Sequence, residues 1–348
     1  MTKTPHLVEV DYLRCIAILA VIYIHTAAAL SRAGDLSSLY PVALLNTLAQ
    51  FAVPLFICIS GFVLFRKPVQ EAKEFYRRRF LKILPPYLIF TAVYLAANTC
   101  KSWVISDIPE IPTLSDILTA YLFAESNPHM WFFLIIIELY ILYPLLSWIY
   151  FRAVDRGWEV KLLFLSLILQ VLWTAFSQEL TFFFCGTEQT ITNKLFLCML
   201  FYFVLGMYLR QHYSMIRKVL MSLRVYLLML LIAPVAVLQS LHLLPSGLSL
   251  LVGVGFCLAL ILVSFSVSLS LTRDHRWPAL RTIGLYSFGI YLIHPLIQGA
   301  LGYVVFPSLG IVPEMLIYYV LVFGATTVLS VATVALLRKL PGNQYLLG

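Results

Sequence analysis

The hydrophobic positions of this sequence fall into long continuous runs, separated from one another by short polar or proline-containing segments. A helix rises about 1.5 Å per residue, so about 20 apolar residues cross the roughly 30 Å hydrocarbon core of a bilayer. By that measure the pattern predicts ten membrane-spanning helices, at residues 11–30, 45–65, 83–100, 128–150, 160–178, 194–212, 222–243, 246–270, 282–305 and 313–337. The predicted fold is therefore all-α, a polytopic integral-membrane bundle of about ten transmembrane helices.

The connections between these runs are too short to hold a soluble domain. The largest one predicted on the outer side, residues 101–128, contains the apolar piece DILTAYLFAES. That piece is too short to span the bilayer and is expected to lie at the membrane interface. We therefore predict a single integral-membrane domain over residues 1–348, with any chemistry taking place in or at the bilayer.

Composition and charge agree with a membrane protein and add its orientation. Hydrophobic residues make up 61% of the chain and charged residues 11%, with a mean hydropathy of +0.92. In a ten-helix zigzag with both termini cytoplasmic, 20 of the 24 lysines and arginines fall on the cytoplasmic side, as the positive-inside rule requires. The net charge of +8 then points to membrane lipids as partners. No nucleic-acid-binding module is visible, so nucleic acid is not an expected partner.

The six cysteines are scattered, mostly within the predicted spans, and their spacing matches neither a metal site nor a disulfide framework. Only Cys100 and Cys185 fall on the outer side, where they could meet, and we expect them not to pair. We predict no metal site.

Four ionisable side chains lie inside predicted spans, where such groups cost about 2.5–3.5 kcal/mol on insertion scales. They are Arg14, His25, Glu138 and His294. In RCIAILAVIYIH, eleven residues separate Arg14 from His25, which places both on one helix face about 16 Å apart. Alternatively, Arg14 reaches the cytoplasm or pairs with Asp11, and His25 is a structural histidine bonded to a neighbouring helix.

The fourth predicted span carries a second set of candidates. Glu138 is the only acid in the middle of any span, and it either orients His25 or bonds to a tyrosine. His129 and Trp131 stand at the outer end of the same segment, where an aromatic belt at the headgroups is the alternative explanation.

In SFGIYLIHPLI, Tyr291 precedes His294 by three residues, so a helix places both on one face. Pro295 then removes a backbone donor and frees a carbonyl. In VPLFICISGFVLF, Pro54, Ser60 and Gly61 predict a similarly disturbed helix, with close packing through small residues as the alternative.

The segment FRKPVQEAKEFYRRRFLKILPPY places seven cations on the predicted cytoplasmic face. Pro85 and Pro86 are expected to open the next helix, so that Arg77, Arg78, Arg79 and Lys82 would lie at its N-terminus. That arrangement suits a phosphate-bearing ligand as well as anionic lipid headgroups.

Six stretches then fall into one pattern: DYLRCIAILAVIYIH, with arginine and histidine separated by ten residues, VPLFICISGFVLF, FYRRRFLKILPPYL, HMWFFLIIIELYILYPLL, FYFVLGMYL and SFGIYLIHPL. In this order they resemble the acyltransferase-3 family of bacterial integral-membrane acyltransferases, over nearly the whole chain. Each stretch is a weak signal alone, but six in register are specific. One position departs from the family pattern, which commonly has a second arginine where this chain has Lys82.

The resemblance implies a multi-pass protein of the bacterial plasma membrane that modifies the cell envelope. It would transfer an acyl group, usually acetyl, from cytoplasmic acyl-CoA to a hydroxyl of an extracytoplasmic glycan or glycolipid. Acyl-CoA would be a donor substrate, with no permanently bound cofactor. Lysine in place of arginine keeps the charge but loses bidentate phosphate binding, which weakens the expected contact to CoA at Lys82.

Roles for the candidate residues follow as hypotheses from the resemblance. Cations of the basic segment, with Ser60, would bind CoA, and the thioester arm would extend along the face that Arg14 and His25 share. His25 would act as general base or carry the acyl group transiently, and Glu138 would fix its tautomer. The residues expected to line the acceptor side are His129, Trp131, Tyr291 and His294. A transporter or exporter of a polysaccharide or its precursor is the rival interpretation, and a catalytically silent scaffold or sensor is a third.

Overall fold

Every regular element in the part of the chain that the structure describes is a helix, as the long apolar runs predict. The structure is a computed structural model, and it describes residues 7–32, 39–66, 69, 71–106, 110–177, 179, 194–221, 232, 234–235, 237–239, 245–274 and 277–348. The helices used below are α1 (Val8–Ala27), α2 (Tyr40–Ala49), α3 (Ala52–Leu64), α4 (Ala72–Ser106), α5 (Leu114–Leu122), α6 (Trp131–Asp155), α7 (Glu159–Ala175), α8 (Leu200–Gln211), α9 (Tyr213–Leu220), α10 (Ser246–Asp274), α11 (Pro278–Ala300), α12 (Leu316–Leu337) and α13 (Asn343–Leu347).

Contacts between residues divide the chain into two compact units, each described here by itself. The first comprises Met1–Phe62 and Leu209–Leu337, and the second comprises Val63–Tyr208 and Arg338–Gly348. The single domain predicted over residues 1–348 stays a prediction.

Seven described stretches are long and apolar enough to cross a membrane: Val8–Leu30, Tyr40–Leu64, Ala72–Trp103, Trp131–Asp155, Leu248–Arg273, Pro278–Ser308 and Leu316–Leu337. The apolar helix Phe196–Gln211 is shorter. Most of the predicted span at 222–243 lies outside the described residues, as does Cys185. The all-α polytopic fold is confirmed, while the count of ten and the cytoplasmic location of both termini stay predictions.

The second predicted span is two helices, because the chain turns at Gln50 and Phe51 between α2 and α3. We expected a disturbed helix at Pro54, Ser60 and Gly61. The break lies just before Pro54, while the helix continues unbroken through Ser60 and Gly61. Pro54 lies in the first turn of α3, where a backbone N–H has no intrahelical partner and its absence costs nothing.

The prediction that Pro85 and Pro86 open a helix is also wrong, because α4 begins at Ala72 and continues through both prolines. Each proline removes a hydrogen bond to the carbonyl four residues earlier, which here means those of Leu81 and Lys82. Both of these residues are exposed, so the two freed carbonyls lie on an exposed side of the helix. The basic residues therefore lie along the body of a helix, and the argument from a helix N-terminus no longer applies to them.

The segment around DILTAYLFAES packs along α4, and its predicted location at the membrane interface stays a prediction. A reciprocal capping box between Thr113 and Asp116 begins α5, and the bonds to Thr113 lower the pKa of the Asp116 carboxyl. The Tyr87 hydroxyl of α4 donates to the Tyr121 carbonyl at 2.7 Å, and the Asn98 amide donates to the Ser126 carbonyl at 2.9 Å. These bonds tie α5 and the following turn to the flank of α4.

The most extensive helix contact of the first unit joins α1 and α11. Asp11 pairs with Arg281 near the start of both helices, and His25 meets His294 near the end of both, so the two helices run parallel. Two parallel membrane-spanning helices must be separated by an odd number of other spans. The described residues contain four long apolar helices between α1 and α11. The number of spans between α1 and α11 therefore differs from these four.

A glycine makes the close approach of α1 and α11 possible. A Cβ at Gly284 would lie 1.8 Å from the carbonyl oxygen of Asp11, inside any allowed contact. Beyond the His25 end, a cluster of buried apolar residues including Val42, Tyr318 and Val322 fills the space between α1, α2 and α12. The register of α1 against α11 is thereby fixed at one end by backbone contact and at the other by a packed core.

Candidate active site

Two histidines meet where α1 and α11 approach their ends. The ring centroids of His25 and His294 lie 5.2 Å apart with the planes inclined at 54°. His294 is fully buried, and the ring of Tyr291 lies 6.1 Å from it on the same helix. The structure thus brings together three of the residues singled out from the sequence.

One contact determines the tautomer of His294. Its Nδ1 lies 3.0 Å from the carbonyl oxygen of Ile290, one turn earlier in α11. A carbonyl oxygen only accepts, so Nδ1 carries the hydrogen and donates it. In the neutral ring, Nε2 is then the atom with a lone pair, and it can accept a proton or a hydrogen bond.

Two polar side chains that sequence reasoning missed link α1 and α11 within one turn of the histidines. The Gln298 amide nitrogen donates to the Ile22 carbonyl at 2.9 Å and to the Thr26 hydroxyl at 2.7 Å. The Thr26 hydroxyl in turn donates to the Ile22 carbonyl at 2.9 Å. The sequence could have identified Gln298, because it follows His294 by four residues and so lies on the same helix face.

The other end of the α1 and α11 pair is also polar. The Arg281 guanidinium lies 3.1 Å from the fully buried Asp11 carboxylate, so the arginine that pairs with Asp11 across helices is Arg281. Tyr213 of α9 donates a short hydrogen bond to the Glu9 carboxylate. Burial and the Glu9 carboxylate raise the pKa of the Tyr213 hydroxyl, which keeps it a donor. Arg14 is half-buried between these two ends, on the same unbroken helix as His25.

The predicted donor-binding cations lie in the second unit, on α4. Glu74 pairs with Arg77 and with Arg78, at 2.9 Å each. The Arg79 guanidinium lies 5.8 Å from the Phe75 ring centroid and 5.9 Å from that of Tyr140, which are cation–π distances. Lys82, three residues after Arg79, is exposed.

The basic turn, residues 77–82, is part of helix α4 and not of a loop, while its predicted cytoplasmic location stays a prediction. Tyr76 of α4 donates to the Ile141 carbonyl at 2.8 Å, and Arg79 lies over Tyr140, so the turn packs beside the middle of α6. The basic turn packs against α6 because α4 is one continuous helix. Arg79 contacts aromatic side chains there.

The remaining candidates have local partners within their own helices or unit. The Glu138 carboxylate accepts from the Phe196 backbone N–H at 2.6 Å. Ser60 donates to the Phe56 carbonyl of its own helix at 3.0 Å. His129 is buried, with Nδ1 2.7 Å from the Asn127 side-chain oxygen, and half-buried Trp131 begins α6. Their predicted roles toward His25, the donor and the acceptor stay predictions.

A family model described as an acyltransferase domain, that of the acyltransferase-3 family, matches residues 7–335. The chain belongs to the acyltransferase-3 family. The match covers nearly the whole chain, including both histidines, and identifies a multi-pass membrane acyltransferase that contacts membrane lipids. No curated protein and no solved structure matches the chain. In the described residues of this acyltransferase, no three His, Cys, Asp or Glu side chains are grouped so as to hold a metal ion.

Proposed function

We propose that the protein transfers an acyl group, in the simplest case acetyl, from cytoplasmic acyl-CoA to a hydroxyl of an extracytoplasmic glycan or glycolipid. The observation that carries this proposal is the ring pair of His25 and His294, which lies with Gln298 and Thr26 in the apolar stretch of the helix pair beyond Arg14 and Arg281. Burying an imidazole in a membrane span costs free energy, so such a residue points to a function, and proton transfer is the reaction to which imidazole is best suited. The bacterial plasma membrane is the proposed location.

His25 is the proposed general base. The acceptor oxygen attacks the thioester carbonyl while its proton passes to the His25 imidazole, and the tetrahedral intermediate expels CoA as a thiolate. The proton on His25 then neutralises that thiolate, so the ring returns to its starting state. His294, with Nδ1–H held by Ile290, presents Nε2 as an acceptor that can hold the His25 ring or the incoming hydroxyl.

On the donor side, Arg79 and Lys82 are the proposed CoA phosphate contacts, because three residues on one helix place them on the same face of α4. Glu74 partly neutralises Arg77 and Arg78, so these two are expected to contribute less. Arg14, Ser60 and Glu138 remain proposed supports of the donor path and of the His25 tautomer. The acceptor is proposed to contact Tyr291 and His294, with His129 and Trp131 as further lining residues.

Membranes carrying His25→Ala should transfer label from [¹⁴C]acetyl-CoA to envelope glycans about a hundredfold more slowly than wild-type membranes, at equal protein abundance. His212→Gln is the control. His212 precedes Tyr213, and Tyr213 contacts Glu9 at the end of α1 opposite to His25. Unchanged transfer by the His25 variant would remove this residue from the mechanism. Absence of acyl-CoA-dependent labelling in the wild type would favour transport.

The donor assignment has its own test. Arg79→Ala should raise the KM for acetyl-CoA about tenfold, whereas Lys73→Ala, an exposed cation earlier on the same helix, should leave that KM unchanged. Equal effects of the two substitutions would indicate a surface that only contacts lipid.

A further inference from the structure

The hairpin between α6 and α7 gathers three cations that the proposed reaction does not use. Helix α6 ends in a Schellman motif, in which the Trp158 N–H donates to the Ala153 carbonyl at 2.7 Å and the Gly157 N–H to the Val154 carbonyl at 3.0 Å. Gly157 has a φ of +65°, the left-handed conformation that glycine adopts without strain. This tight reversal brings the first turn of α7 beside the last turns of α6.

Each cation of the hairpin rests on a tryptophan ring. The Arg152 guanidinium lies 4.9 Å from the Trp148 ring centroid. On the other side, the Arg156 guanidinium and the Lys161 ammonium lie 5.2 Å and 5.3 Å from the Trp158 ring centroid. The rings hold the long side chains in place without neutralising their charge.

These cations surround a groove of about 430 Å³, whose other walls include Leu162 and Leu165. In the described ranges of the chain, no carboxylate lies within ion-pair distance of Arg152, Arg156 or Lys161, in contrast to Arg77 and Arg281. Three positive charges at one end and aliphatic walls at the other make the groove amphipathic. The occupant that matches it is an anion with an attached hydrocarbon chain.

We propose that this groove binds one anionic phospholipid of the cytoplasmic leaflet, with its phosphate between Arg152, Arg156 and Lys161 and an acyl chain along Leu162 and Leu165. Arginine binds phosphate oxygens in pairs, and the positive-inside rule places this hairpin on the side where anionic headgroups attract cations. The wall opens onto an exposed apolar surface, since Leu165 is 51% exposed and Trp148 is 55% exposed.

A nucleotide such as that of CoA fits the groove less well. Both tryptophan rings already have a cation over them, so a stacking base would have to displace a cation or use the opposite ring face. Phospholipid also matches the apolar wall of Leu162 and Leu165, against which a ribose or an adenine would leave polar groups unpaired.

The test is native mass spectrometry of the delipidated full chain in neutral detergent, titrated with phosphatidylglycerol or with phosphatidylcholine of the same chain length. We expect one phosphatidylglycerol per chain, bound at least about tenfold more tightly than phosphatidylcholine. The triple variant R152Q/R156Q/K161Q should lose this preference. The control R217Q/K218Q, which neutralises exposed cations on α9, should keep it.

Equal binding of the two lipids by the wild type, or an unchanged preference in the triple variant, would overturn the proposal. Displacement of phosphatidylglycerol by adenosine 3′,5′-bisphosphate would overturn it in favour of a nucleotide site. If the triple variant does not fold, Arg156→Gln alone provides the test, because this exposed side chain lies at the end of α6 and should still reduce the preference severalfold.

Discussion

The α1 and α11 pair and the basic turn of α4 both place charged or polar side chains on apolar helices, but they hold these groups in opposite ways. In the α1 and α11 pair, Asp11 and His294 are fully buried. Asp11 has a partner on the facing helix, and His294 has one on its own helix. On α4, Arg77 and Arg78 keep about two thirds of their side-chain surface exposed. Buried polar groups need a fixed geometry, whereas exposed cations remain available to a mobile ligand.

This difference suits the two halves of the proposed reaction. Proton transfer at His25 requires atoms held to within fractions of an ångström, which close helix packing provides. Recruitment of an anionic donor requires charge that can rearrange around the phosphates. Substitutions in the first region should therefore damage the fold and turnover, and those in the second should change only donor affinity.

The largest effect is expected at Gly284. Gly284→Ala puts a Cβ within 1.8 Å of the Asp11 carbonyl oxygen, so α1 and α11 must separate, at a cost of about 3 kcal/mol or more. We expect a lower thermal midpoint in detergent and loss of acyl transfer. Gly299→Ala on the same helix, where a Cβ meets nothing within 4 Å, is the control and should be close to wild type. Equal behaviour of the two variants would contradict the close approach.

The ion pair between α1 and α11 should give the next largest effect. Arg281→Gln leaves the fully buried Asp11 carboxylate without this cation, and we expect a loss of about 2 kcal/mol because the arginine itself is 43% exposed. Asp11→Asn should cost less, since a half-exposed guanidinium can turn to water. Thermal unfolding of both variants, with Arg273→Gln as an exposed control, measures this asymmetry. The reverse order would show that the pair does not stabilise the helix contact.

A smaller effect on turnover is expected at Gln298. Gln298→Leu removes two hydrogen bonds to α1 next to His25, each worth about 1 kcal/mol, and should lower kcat about tenfold without changing the KM for acetyl-CoA. Thr26→Val removes only one of these partners and should give a milder loss. A rise in KM with unchanged kcat would instead place Gln298 on the donor path.

The smallest effect is expected on α4. Glu74→Gln releases Arg77 and Arg78 from their acidic partner and should lower the KM for acetyl-CoA about twofold. Glu71→Gln changes the net charge equally on a neighbouring exposed residue and should have no such effect. If both variants lower the KM alike, overall charge and not the release of specific arginines determines donor affinity.

The sequence predicted what depends on local pattern and could not predict what depends on distant contacts. Apolar runs indicated the helical class, and the cost of burying ionisable groups singled out His25 and His294, which the structure brings together. Arg281 as the partner of Asp11 was not predictable, because 270 residues separate the two. Pro85 and Pro86 misled the assignment of α4, because the local rule that proline ends or opens a helix does not hold in this long helix, which continues through both residues.

The 270-residue separation between Asp11 and Arg281 also affects the order in which the protein is assembled during synthesis. Ribosomes add roughly 5–20 residues per second, so α1 leaves the ribosome roughly 15–50 s before α11 does. During that interval Asp11 and His25 wait in the nascent chain without Arg281 and His294. The contacts of α1 with α11 therefore form late in biogenesis, and a polypeptide that stalls before residue 281 lacks both partners of its first helix.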